Sequence, residues 1–332
     1  MLNIKQRFEA VAGAMPRPEL LHTPISYKVT REWELENTTR YEIYYTTEPG
    51  SCVRAYLFLP KDRARKHGAV LCPHPTNGEL GGADPAGFGI KKNHFYALEL
   101  AELGYVTLSP DIVYYGESVN ADPFKMGYES GTMKVIFDHM RGVDLLCSLD
   151  CVDPDNIGCI GHSLGGHNSV FTAFMDERIK VCVSSCGLCA FTEYVKTNAN
   201  KMGAWAQDVY MPLIRTKYDL DPYKMPWDLP ELTAAIAPRY LFINACRNES
   251  NMNFAGAKLV IDECRRAYDS MGVSERFGTI TPDDIHNFPP EARKAAYEFI
   301  KFAFGENPMT NYGPNGNIPS TRMGIASLIR LP

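Results

Sequence analysis

The run Gly161-His162-Ser163-Leu164-Gly165-Gly166 sets a serine between glycines in the pattern G-x-S-x-G. A serine in that pattern sits on a sharp strand-to-helix turn with its hydroxyl exposed. Glycine is required on either side because a Cβ there would collide with the neighbouring strand or helix. The flanks fit this reading. Asn156 to Ile160 is short and mostly apolar, as a buried parallel strand would be, and His167 to Met175 reads as a helix.

A serine hydroxyl is a poor nucleophile at neutral pH. It needs a general base, normally histidine, and the histidine needs a carboxylate to fix its tautomer and stabilise the imidazolium. With this motif the chain order is serine, acid, histidine. Of eight histidines, His22 precedes the body of the fold, His67 falls in a loop, and His94 and His139 lie on predicted helices. His162 and His167 flank the serine and point elsewhere. His74 follows an early strand and could line a pocket, but it breaks the chain order. His286 lies after the last predicted strand and just before the last helix, where the general base is expected.

The acid is expected after the strand ending near Ile243. Glu249 is the carboxylate in the loop Asn244 to Asn251. Asn248 beside it could orient the histidine but could not stabilise the imidazolium by charge, and Asp262 and Glu263 lie a helix too far. An oxyanion needs two backbone N–H groups. Leu164 supplies one. The second comes from the loop Pro73 to Gly78, where Pro75 has no N–H and Thr76 is the expected donor.

The elements that must carry these groups can be read from periodicity. A short amphipathic helix near residues 3–15 precedes three alternating stretches, Ile25 to Glu34, Arg40 to Thr46 and Cys52 to Leu59, read as antiparallel strands. Strands are then expected at Ala69 to Pro73, Tyr105 to Asp111, Asn156 to Ile160, Lys180 to Cys186, Tyr240 to Asn244 and Phe277 to Thr281. Helices are expected at Phe95 to Leu103 (ended by Gly104), Met133 to Ser148, Leu259 to Met271 and Glu291 to Ala303. The alternation predicts an α/β fold, a mostly parallel sheet with helices on both faces. Ligands of such sheets bind outside the carboxyl ends of the strands.

Two segments break the alternation. Residues 187–235 are aromatic-rich and read as a cap inserted over the site. Trp205, Tyr210 and Trp227 from it, together with Tyr114 and Tyr115, are candidates to contact substrate, although most cap aromatics are expected to pack the cap onto the body. The stretch 307–332, rich in Asn, Gly and Pro, reads as a tail that wraps the surface or contacts another copy in a homo-oligomer.

The chain is 332 residues long, 45% hydrophobic and carries a net charge of -5, which suits a large core and argues against a nucleic-acid partner. Lys61 to His67, the densest basic patch, reads as a solvated loop. No apolar run is long enough for a transmembrane helix, and the N-terminus does not resemble a signal peptide. Ten cysteines without a secretion signal predict reduced thiols in the cytoplasm. The close set Cys182, Cys186 and Cys189 lacks a second cluster to complete a zinc site and reads as structural.

Together these residues resemble the α/β-hydrolase family over about residues 50–304. The resemblance rests on the elbow, on Gly104 to Asp111 followed by Tyr115-Gly116-Glu117-Ser118, on Val152 to Gly158, and on Ala237-Pro238-Arg239. It is nearest to dienelactone-hydrolase-like and acetyl-xylan-esterase-like members. In those an Asp typically follows the strand that Glu249 follows here, and dienelactone hydrolases proper use a cysteine nucleophile where this chain has Ser163. The resemblance implies an α/β-hydrolase fold in one domain (N-terminal extension 1–50) and hydrolysis of a small carboxylic ester without metal or cofactor. A peptidase and a non-catalytic ligand-binding protein on the same scaffold are the alternatives. Peptidases with this core usually carry a large extra domain, and binding proteins usually lose part of the triad.

Overall fold

The computed structural model describes residues 2–119 and 121–306, so the tail expected at 307–332 lies outside the described residues. The strands are β1 (Tyr27–Glu34), β2 (Thr38–Glu48), β3 (Ser51–Pro60), β4 (His67–Leu71), β5 (Val106–Pro110), β6 (Val152–His162), β7 (Ile179–Ser185), β8 (Tyr240–Asn244) and β9 (Phe277–Ile280). The helices are α1 (Ile4–Ala12), α2 (Tyr96–Glu102), α3 (Gly131–Ser148), α4 (Leu164–Met175), α5 (Phe191–Thr197), α6 (Leu213–Thr216), α7 (Leu229–Ala234), α8 (Phe254–Ser270) and α9 (Pro290–Ala303).

All nine strands form one sheet in the order β1-β2-β3-β5-β4-β6-β7-β8-β9. The first three are antiparallel to their neighbours, and β4 to β9 run parallel, as the alternation of strands and helices predicts. His67, expected in a loop, opens β4 and is buried.

Both faces of the parallel strands are covered, so their side chains alternate between two apolar layers. On β8, Leu241 and Ile243 enter the larger core with α1, α3, α4 and α8, while Phe242 enters the second core with α2 and α9. On β4, Ala69 and Leu71 take the first side and Val70 and Cys72 continue on the second. The registers Ser185 to Asn244 and Asn244 to Ile280 bring the carboxyl ends of β7, β8 and β9 to one edge, beside the end of β6.

The segment after β7 carries α5, α6 and α7. Asp228 organises it: its carboxylate caps α7 and also accepts from the Phe191 and Thr192 N–H groups at the start of α5. Aromatic rings fasten it to the body. Phe8 of α1 lies 5.4 Å from Phe171 of α4 and 5.3 Å from Trp227, and Phe191 lies 5.0 Å from Trp205.

Candidate active site

The turn after β6 is built as its glycines require. A Cβ on Gly161 would lie 2.2 Å from the Gly165 oxygen, and one on Gly165 would lie 2.1 Å from the Pro73 oxygen. Side chains at either place would push apart the strand, the helix and the loop after β4. Gly165→Val is therefore expected to destabilise the fold by about 1–3 kcal/mol or more, read as a lower midpoint in urea unfolding.

Ser163 itself adopts φ 55, ψ -118, a conformation that L-residues rarely occupy. Its N–H donates to the Ser185 oxygen at 2.8 Å, and α4 begins at the next residue. That posture lifts the serine side chain from the strand end. Its Oγ–H donates to His286 Nε2 at 2.8 Å.

His286 follows β9 and is held from its other side by Glu249. The imidazole Nδ1–H donates to Glu249 Oε2, while Glu249 Oε1 accepts from the N–H groups of Asn251 (2.7 Å) and Met252 (3.3 Å). The acid loop and the histidine loop are stitched together by Arg247 N–H to the Pro282 oxygen (2.9 Å) and Asn248 N–H to the Asp284 oxygen (3.0 Å). Asn248 is exposed, so the geometry selects the carboxylate as the partner of His286.

The electrostatics follow from these contacts. Burial alone would push the Glu249 carboxyl up, but the hydrogen bond and charge of His286 and the two backbone N–H groups hold it below its ordinary value. Burial pulls His286 down, and the Glu249 bond and charge outweigh that and raise it above 6.5. Only the neutral imidazole can accept the serine proton. Activity is therefore expected to fall as pH drops through a pKa above 6.5, and Glu249→Gln should move that limb to lower pH. A kcat/KM–pH profile of both proteins checks this.

Leu164 stands at the first position of α4, and Thr76 is exposed in the loop after β4 that packs against Gly165. Neither N–H has a partner among the described residues.

Five predicted pocket residues divide three and two. Tyr114, Tyr115 and Tyr210 line a cavity of about 230 Å³, with Ile112, Val113, Val135 and Asn168, and the Tyr115 and Tyr210 hydroxyls meet at 2.9 Å. The cavity is the neighbour of the elbow: Leu164 packs on Ile112, Val113 and Val135, and Asn168 Nδ2–H donates to the Leu164 oxygen at 3.0 Å. Trp205 and Trp227, by contrast, are 5% and 2% exposed and sit in the aromatic cluster that binds α1, α4 and α5, outside the cavity wall.

His74, the sixth candidate, also differs from the expectation of a pocket residue. It is fully buried, donates from Nδ1 to the Pro75 oxygen at 2.6 Å and accepts from the Ile112 N–H at Nε2, 3.0 Å. Burial lowers its pKa, in keeping with a neutral ring that makes both bonds. It thus ties the loop of Thr76 to the loop after β5.

Two further residues were not singled out from sequence. Asn244, at the end of β8, donates from Nδ2 to the Asn287 oxygen (3.1 Å) and to Ser185 Oγ (2.8 Å), fixing the residue that follows His286. The His162 ring accompanies the His286 ring at 4.8 Å and bonds Ser185 Oγ at 2.9 Å. Asn244 was visible only as a polar residue ending an apolar strand.

No protein-family model matches the chain. Putative hydrolase YtaP of Bacillus subtilis (strain 168) is 28% identical over 293 residues, 84% of this chain and 92% of that protein. Acetyl esterase Axe7A of Xylanibacter ruminicola is 26% identical over 189 residues, 50% of this chain and 40% of that protein. Among solved structures, a glucuronoyl esterase from Solibacter usitatus superposes with a TM-score of 0.70 at 16% identity, covering 91% of this chain and 93% of that one. This is the α/β-hydrolase fold. Within an α/β-hydrolase sheet, the serine, glutamate and histidine described above stand at the carboxyl ends of β6, β8 and β9. No helix among the described residues is long and apolar enough to cross a membrane.

Proposed function

We propose that this protein is a serine hydrolase that cleaves a carboxylic ester through an acyl-enzyme intermediate. The observation that carries the reading is the continuous hydrogen-bonded line Glu249–His286–Ser163 at the mouth of an elbow. The names of its relatives support it, since Axe7A is an acetyl esterase and the Solibacter protein a glucuronoyl esterase.

Ser163 Oγ attacks the acyl carbon as its proton passes to His286 Nε2. Negative charge gathers on the carbonyl oxygen, which the N–H groups of Leu164 and Thr76 receive. Glu249 stabilises the imidazolium. His286 then returns the proton to the departing alcohol oxygen. Water attacks the acyl-serine, giving its proton to the same nitrogen, and the acid leaves as Oγ recovers a proton. The pre-formed contacts favour this over a binding protein on a hydrolase scaffold. The ten cysteines, all free thiols, fit a reducing compartment.

The acyl chain is assigned to the cavity beside Leu164. Val135→Phe fills it, and is expected to lower the butyrate-to-acetate preference roughly tenfold or more, measured as the ratio of kcat/KM on p-nitrophenyl esters. A fluorophosphonate probe tests the reaction class. Mass spectrometry should find the adduct on the peptide bearing Ser163. An active protein that carries the label elsewhere, or not at all, would overturn the reading.

A further inference from the structure

Directly beneath the Glu249–His286 pair lie two thiols that the chemistry above does not use. Cys186 is the first residue after β7 and Cys246 the second after β8. The strands are neighbours in register, Ser185 opposite Asn244, and the Cys186 N–H donates to the Asn244 oxygen at 2.8 Å. Cys186 therefore faces Ala245, one residue before Cys246, and with strands about 4.8 Å apart and a rise of about 3.3 Å per residue the two Cα atoms fall within the range that a disulfide spans. Both thiols point at one atom: Cys186 Sγ is 3.3 Å and Cys246 Sγ 3.4 Å from the Asn287 oxygen.

That oxygen also receives Asn244 Nδ2–H at 3.1 Å. A carbonyl has two lone pairs, and here three donors compete for them. Both sulfurs thus converge on one carbonyl oxygen, close enough to act on each other's protons. Cys186 Sγ, a Glu249 carboxylate oxygen and a His286 ring nitrogen lie within 4.8 Å of one another. Two thiols that share the carbonyl of the residue after the general base are placed where a change in either is felt by His286.

We propose that Cys186 and Cys246 are a modification site, a dithiol that a small peroxide converts to a reversible disulfide and thereby switches the enzyme off. Cys186 is the attacking sulfur. The neighbouring Cys246 thiol and the charge of His286 outweigh burial and lower its pKa, which favours the thiolate. Its sulfur attacks a peroxide oxygen, the O–O bond breaks, and a sulfenic acid and one water form. Cys246 sulfur then attacks the sulfenic sulfur, and the hydroxyl leaves as a second water on taking the remaining thiol proton. Two thiols are oxidised and one peroxide is reduced to two waters. Cys186 is 4% exposed and Cys246 1%, so peroxide meets Cys186 first, from the side of the His286 side chain, which is 31% exposed.

The disulfide removes two of the three donors on Asn287 and draws the ends of β7 and β8 together. His286, one residue before Asn287, is displaced from Ser163. Its loss of activity rests on the hydrolase reading, whereas the bond itself does not.

The experiment treats the full chain with hydrogen peroxide and follows three readouts. Peptide mapping should show a Cys186–Cys246 link with a mass loss of about 2 Da. Ester hydrolysis should fall by up to about 100-fold, the scale of a 1 Å misplacement of a reacting group, and return with dithiothreitol. Cys246→Ser and Cys186→Ala should hydrolyse ester before treatment, form no link, and lose the dithiothreitol-reversible inactivation. Absence of the link overturns the proposal. So does a link without loss of activity, or equal reversible inactivation in both variants. If untreated protein hydrolyses no ester while the link forms, the hydrolase reading fails and the dithiol chemistry stands.

Discussion

Ser163→Ala is expected to lower kcat on p-nitrophenyl acetate by about 10⁶-fold. The hydroxyl is the only group in the line that can form the acyl bond, and Ala removes it without altering the turn: Cβ remains, and the backbone keeps φ 55. Folding should survive, with an unchanged circular-dichroism spectrum and melting curve. His286→Ala should cost nearly as much, because the serine without its base is an ordinary alcohol. The double variant should be no worse than either single one, since the two act as a unit. Residual hydrolysis would come from Leu164, Thr76 and binding. A Ser163→Ala protein that hydrolyses ester at the parent rate ends the proposed mechanism.

Glu249→Gln is expected to lower kcat by about 10⁴-fold with little change in stability. The reason lies in which oxygen is already committed. Oε1 accepts two backbone N–H groups, from Asn251 and Met252. In glutamine the amide oxygen must take that place, which turns the NH₂ toward His286. An NH₂ there donates to Nδ1, so the imidazole proton moves to Nε2, the nitrogen that must accept from Ser163. The substitution therefore imposes the wrong tautomer as well as removing the charge. Steady-state kinetics beside a urea melt separate the two effects. Parent-like kcat in Glu249→Gln would pass the role to another group, Asn248 being adjacent.

Much of this site could be read from the chain because its signals are local. The elbow is six consecutive residues. Glu249 follows by elimination within one loop, and His286 from its place between the last strand and the last helix. Strand β8 has the limits expected of it because Tyr240 to Asn244 is a bounded apolar run. Element starts were harder. Helix α8 begins at Phe254, before the expected Leu259, because Asn253 caps it through the Gly256 N–H and a glycine in the first turn hides the start. Helix α4 begins at Leu164, since the strained serine itself is the residue before the helix.

What the sequence concealed depends on contacts between distant residues. His74 looks like a pocket histidine until the Ile112 N–H, 38 residues away, is seen to occupy its free nitrogen. Trp205 and Trp227 look like a substrate wall until Phe8 and His167 are found packed on them. Two of the three short helices after β7 owe their starts to Asp228, and no periodicity reports that.

The backbone of Ser163 has one more consequence. A non-glycine residue at φ 55, ψ -118 stores about 1–3 kcal/mol of conformational strain. Glycine would relieve it, and under the proposed mechanism it would also remove the nucleophile. Stability and turnover would then pull in opposite directions at this one position, and a sounder turn would be an inert one.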